Sequence, residues 1–182
     1  MGRRVAIAMT VVATVLLFTG ADASAASPHF KHGGEPTCTI TGSGSSQTVV
    51  CGASLTGLGN GDLTVNVTVS GFAVYQCQNG GGNIAPGQNK VLVGPQTTPT
   101  VIPSSSVKNG TVTFTTNPNT LTAPSTVSGS AAGCPNSNWT GVNPTLTITS
   151  ISMTIAQGGQ TLFTCSSASN PNGLTGTVAL TC

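Results

Sequence analysis

The sequence predicts an all-β protein: an Ig-like antiparallel β-sandwich held by three disulfides, with a jelly roll as the alternative. Three observations carry this expectation. Apolar and polar residues alternate with period two in several short runs, and no run after the leader has the 3.6-residue period of a helix. All six cysteines (Cys38, Cys51, Cys77, Cys134, Cys165 and Cys182) follow a secretory leader. An even count in such a chain reads as a disulfide framework, whereas zinc spacing is absent because no two lie two to four residues apart.

The leader comes first. Arg3 and Arg4 precede an apolar run from Val5 to Phe18, and Ala23-Ser24-Ala25 forms a small-x-small cleavage signal. This is the order of a signal peptide, residues 1–25, and the run is short for a membrane span. The mature product is expected outside the cell, with no membrane attachment after cleavage. Residues 26–36 read as a flexible tail, and residues 37–182 as one sandwich domain.

Within that domain, pairing Thr37–Thr41 with Thr48–Leu55 places Ile40 opposite Val49 and Cys38 opposite Cys51. Hydrophobic register and disulfide reach then agree. In "LTVNVTV", Leu63, Val65, Val67 and Val69 alternate with polar residues, and a bulge is possible at Ser70-Gly71. "GPQTTPTVIPSSS" (94–106) holds three prolines and no period, so it reads as a long connection between sheets. "TVTFT" (111–115) and "TVALTC" (177–182) are further strands. In "TLTITSISMTI" the apolar phase changes after Ile148, which predicts a bulge at Thr149-Ser150. Cys165–Cys182 reads as a local clasp, leaving Cys77–Cys134 as the long-range bridge.

Composition excludes several partners. Beyond the leader the ionic side chains are Lys31, Lys90, Lys108, Glu35 and Asp62, with no Arg. Nucleic acid needs a basic stripe and calcium needs clustered carboxylates, and the chain has neither. No cofactor is implied. Ser and Thr make up 45 of the 157 residues from Ala26 onward, yet β-branched periodicity separates this chain from a disordered one.

Candidate sites are sparse. "CQNGGGNIAPGQNK" (77–90) mimics the glycine spacing of a P-loop, but Gln88 and Asn89 stand where Lys and Ser/Thr are required. It reads instead as a turn with Gly80–Gly82 at positive φ, whose Asn79, Asn83 and Gln88 amides could touch a neutral ligand. Trp139, in "GCPNSNWTG", is the candidate sugar-stacking ring; Tyr75 and Phe30 are its only conceivable partners, and packing near the Cys134 bridge is its structural reading. His29, His32 and Glu35 could suggest a metal, but Gly33-Gly34 opposes the helix that would make His-x2-His converge. A Ser-His-Asp triad would need a tail histidine and Asp62, and glycoside hydrolysis would need Glu35 beside Asp62, so no catalysis is expected. Sequons at Asn66, Asn109 and Asn138 are of the kind that arise by chance in so Asn- and Thr-rich a chain.

The runs "CTITGSGSSQTVVCGASLTGLGN", "CQNGGGNIAPGQNK" and "GCPNSNWTG", in this order, resemble small secreted β-rich proteins of actinobacterial type. The resemblance spans roughly residues 37–160. It implies secretion and a β fold and transfers no site, and Cys165–Cys182 is an addition to its pattern. The expected function is a secreted, non-catalytic binding module for a neutral polysaccharide or a protein partner. The alternative is an extracellular structural protein that associates with itself through strand edges.

Overall fold

The computed structural model describes residues 27–182, so the expected signal peptide lies outside the described residues. In chain order the strands begin with β1 (His29–Phe30), β2 (Thr37–Ser43), β3 (Ser46–Thr56), β4 (Leu63–Gln78) and β5 (Ile84–Ile102). They continue with β6 (Val112–Thr115), β7 (Asn119–Thr122), β8 (Val127–Ser128), β9 (Thr140–Gln157), β10 (Gln160–Ser166) and β11 (Gly176–Ala179). A single helical turn, α1 (Gly129–Ala132), and a 3-10 turn at Ser104–Ser106 are the helical elements described. None of the described helices is long and apolar enough to cross a membrane.

Two antiparallel sheets face each other. In sheet A, β3 carries β2 and β1 along one edge and β6 and β7 along the other, with β11 beyond β2. Sheet B runs β10, β9, β4, β5, with β8 extending the β10 side of β9. The hairpins β2–β3, β4–β5 and β9–β10 each stay within one sheet. That is the Ig-like arrangement, whereas jelly-roll connections pass from sheet to sheet.

The opening register is the one the cysteines require: Cys38 faces Cys51 and Ile40 faces Val49. All three expected bridges form, closing separations of 13, 57 and 17 residues. Such a set is typical of extracellular proteins.

β4 keeps one phase throughout. Leu63, Val65, Val67, Val69, Ala73, Tyr75 and Cys77 all point inward and are buried. Its neighbours do not keep theirs. Between Ser70 and Gly71, β9 inserts Thr149, and β5 inserts a residue over the same step. Between Val74 and Gln76, both neighbours insert again, β5 at 87–89 and β9 at 143–144. Sheet B is thus creased along two lines that cross its strands. The predicted bulge at Thr149 is present, but the extra residue opposite Ser70-Gly71 lies on the neighbours and not in β4. Gly71 is indispensable at that crease, because a Cβ there would collide with the Thr147 carbonyl.

Three expectations need correction. Residues 94–102 are not a connection but the second half of β5, paired with β4 from Leu63 to Val69. Pro95 and Pro99 fit because β5 is an edge strand. The crossing between sheets is only residues 103–111. The tail is not free either: β1 pairs with Thr56 and Leu55, Phe30 lies 4.5 Å from the Phe163 ring, and Lys31 N and Gly34 O bond Ser54. Finally, the last strand stops at Ala179, and Thr181 bridges to Ser166 instead.

Parts of the two outer edges of sheet B are occupied. At one side Ser166 and Thr181 exchange two backbone hydrogen bonds beside Cys165–Cys182, joining β10 to the chain end that follows β11. At the other side the β6–β7 segment covers β5. Asn117 donates from Nδ2 to Pro99 O and from its backbone to Thr100 Oγ1. Asn119, fully buried, donates to Val67 O at 2.8 Å and Gln96 O at 3.0 Å, tying sheet A to sheet B. Asn119→Ala would remove both hydrogen bonds, each worth ~0.5–1.5 kcal/mol net. Denaturant unfolding is therefore expected to show a loss of about 2 kcal/mol; a loss below about 0.5 kcal/mol would mean that these bonds do not hold the sheets together.

Candidate functional site

The two most distinctive sequence runs meet at one end of sheet B. Cys77, near the end of β4, bonds Cys134, just after α1, so the β4–β5 tip and the 134–139 loop share an anchor. Ser128 caps α1 by accepting from Ala131 N, and Gly133 ends it at φ 68°. The turn lies against β5: Gly87 passes so near that a Cβ would stand 2.5 Å from Tyr75 O and 2.7 Å from Ala132 O. Asn89 Nδ2 reaches Ser130 O at 3.4 Å. The glycine-rich run is therefore a hairpin tip followed by a bulge packed under a helical turn.

Each expected site residue has a defined place. Asn79 Oδ1 accepts from Gly81 N at 3.0 Å and Asn83 N at 2.9 Å, so its carbonyl is spent closing the tip. Among the three glycines expected at positive φ, only Gly82 adopts it, at 81°. Asn83 and Gln88 are exposed. Tyr75 is 1% exposed and donates to Pro124 O at 2.9 Å, so its ring cannot serve as an outer stacking face. Trp139 is half-buried against the core, with its backbone wedged beside Gly129. Trp139 and Tyr75 thus form no joint platform, and Phe30 packs elsewhere on Phe163.

Among the described residues, no group of three or more His, Cys, Asp or Glu converges. His29 Nδ1 contacts Ser27 O, Glu35 accepts from Gly33 N, and Asp62 accepts from Ser104 N. Each therefore has a local structural role.

The outer faces of the two sheets differ in chemistry. Sheet A presents hydroxyls, paired across strands as Ser46–Thr122, Thr48–Thr120, Ser54–Thr113 and Thr56–Thr111 at 2.7–3.1 Å. Such a face is well satisfied by itself and by water. Sheet B presents the large exposed apolar side chains: Val74 (37% exposed), Ile84 (49%), Leu92 (87%) and Val101 (63%) all stand on its outer side. Three of these lie between the crease at Ser70-Gly71 and the tip, where Leu92 pairs with Phe72 and Val74 with Lys90. Lys90 Nζ sits 4.2 Å from the Phe72 ring centroid and donates to Pro171 O. The ring face is therefore already occupied.

Beside this strip lies a polar pair that sequence reasoning missed. Asn143, in the β9 bulge, takes φ 50° and donates from Nδ2 to Gln76 Oε1 at 2.9 Å. The signal was the Asn143-Pro144 step, which interrupts the alternation of the strand.

No protein-family model matches the sequence, and no curated protein matches it. Among solved structures, the crystal structure of Bacteroides uniformis β-glucuronidase is similar at 13% identity and a TM-score of 0.37. The match covers 79% of this chain and 14% of that one, so the chain spans a small part of that protein's length. That likeness is too weak to inform fold or activity.

Burial raises the Tyr75 pKa above the usual 10.0. The neutral phenol is thus the form the fold favours. Its stabilisation is complete below the unfolded pKa and is lost as pH climbs through the folded one. Since Tyr75 is the chain's only tyrosine, phenolate absorbance reports it alone. The midpoint is expected above that of the urea-unfolded protein, and coinciding midpoints would contradict the buried placement.

Proposed function

We propose that the protein is a secreted, non-catalytic binding module that engages an uncharged partner through the outer face of sheet B, between the crease at Ser70-Gly71 and the β4–β5 tip. One observation carries this reading: exposed aliphatic side chains gather on that single face, while the opposite face is hydroxylated and self-paired. Contiguous exposed apolar surface on a small protein marks interaction sites. The sole ionic group there, Lys90, is engaged with Phe72 and Pro171, which suits a neutral partner. Exposed Gln88 and Asn83 sit at the rim, and Asn79 closes the tip.

The rival reading, self-association through strand edges, is less well supported. The edge of β5 carries Pro95 and Pro99 and is covered by Asn117 and α1, and the β10 edge is bridged to the chain end. Prolines and covering segments are the devices that keep edges from pairing.

The test is retention of the oxidised protein on a panel of insoluble neutral polysaccharides and immobilised uncharged peptides, at low and high salt. Retention is expected to be indifferent to salt. It should fall at least tenfold in Leu92→Asp and persist in Thr48→Asp on the opposite face. Loss in Thr48→Asp with no loss in Leu92→Asp would refute the assignment. Concentration-dependent assembly without any retention would favour the structural role.

A further inference from the structure

The Gln76–Asn143 pair has unused hydrogen-bonding capacity. Asn143 Nδ2 donates to Gln76 Oε1, which leaves Asn143 Oδ1 as an acceptor and Gln76 Nε2 as a donor, both on exposed residues. The arrangement is held at a cost. Asn143 sits in the left-handed region at φ 50°, in a bulge that interrupts β9, and a non-glycine residue there is strained. Strain of this kind concentrates at binding and catalytic sites.

Resting on the binding reading above, we propose that this pair reads the backbone of an extended polypeptide segment. One N–H of the segment is accepted by Asn143 Oδ1, and one C=O is bonded by Gln76 Nε2. The segment's aliphatic side chains lie on Val74 and Leu92. Two features favour polypeptide over glycan. The neighbouring surface is aliphatic, which suits aliphatic side chains. The one aromatic ring in the strip, Phe72, is covered by Lys90, so no free ring face remains for a pyranose. Charge agrees as well: Lys90 is already engaged, and the backbone it would face is neutral.

The test selects a phage-displayed random peptide library on the immobilised, fully disulfide-bonded protein, with insoluble neutral glucan and chitin as parallel probes. Selected peptides are then titrated against wild type, Asn143→Gly, Gln76→Ala and Leu92→Asp. Asn143→Gly is the decisive variant, because glycine accepts φ 50° without strain and the fold is kept while the amide is lost. We expect uncharged, aliphatic-rich peptides whose affinity falls at least tenfold in Asn143→Gly and Gln76→Ala, with the melting temperature of Asn143→Gly no lower than wild type. Peptides that bind Asn143→Gly as well as wild type overturn the proposal. Glycan retention lost in Leu92→Asp, with no peptide selected, overturns the polypeptide class and leaves the binding role standing. A dimer abolished by Leu92→Asp makes a second copy the occupant and overturns it too. Failure of every probe overturns both readings.

Discussion

The organisation of sheet B depends on the unbroken inner face of β4. Every second side chain from Leu63 to Cys77 is sealed against sheet A, so this strand cannot shift phase without exposing half the core. Its neighbours absorb the mismatch. Both insert residues at the same two levels, and the sheet bends along those lines. Gly71 and Gly94 permit the lower crease, and Gly87 and Asn143 permit the upper one. The upper crease is also what turns Asn143 toward Gln76 and seats α1 against β5. The proposed binding surface is in that sense a by-product of how a straight central strand is accommodated.

Much of the fold was legible in local pattern. Alternation located the cores of β4, β6 and β9, and the phase change around Thr149 marked a real insertion. Cys38 and Cys51 were assigned from register alone, because directly opposed residues on a hairpin leave little freedom. What escaped was information carried by more than one strand. Nothing in "GPQTTPTVIPSSS" marks it as a strand, since its prolines and threonines qualify only because β4 supplies the partner and the outer edge needs no donors. The tail was misread for the same reason: β1 is two residues long and exists only through β3 and Phe163.

The site was less legible than the fold. Rare residue types drew notice to Trp139 and Tyr75, yet scarcity reflects packing as readily as recognition, and Tyr75 turned out to be buried. Gln76, Val74 and Leu92 are common residues in unremarkable runs. Their significance comes from facing outward together on one side of one sheet, which depends on counting phase correctly across the one-residue insertion between Val93 and Gln96 in β5. A single missed bulge would have assigned Leu92 to the core.

The covered edges bear on how such a chain stays dispersed. Charged side chains are one device that keeps strand edges apart, and repulsion weakens as salt shortens its range. Few ionic groups are present here to repel anything. Asn117, Asn119, α1 and the Cys165–Cys182 clasp instead deny neighbouring molecules a backbone to pair with. Protection by geometry does not fade in brine or vanish near an isoelectric point. Where these edges are closed, the closure is covalent and hydrogen-bonded, and it does not draw on charge.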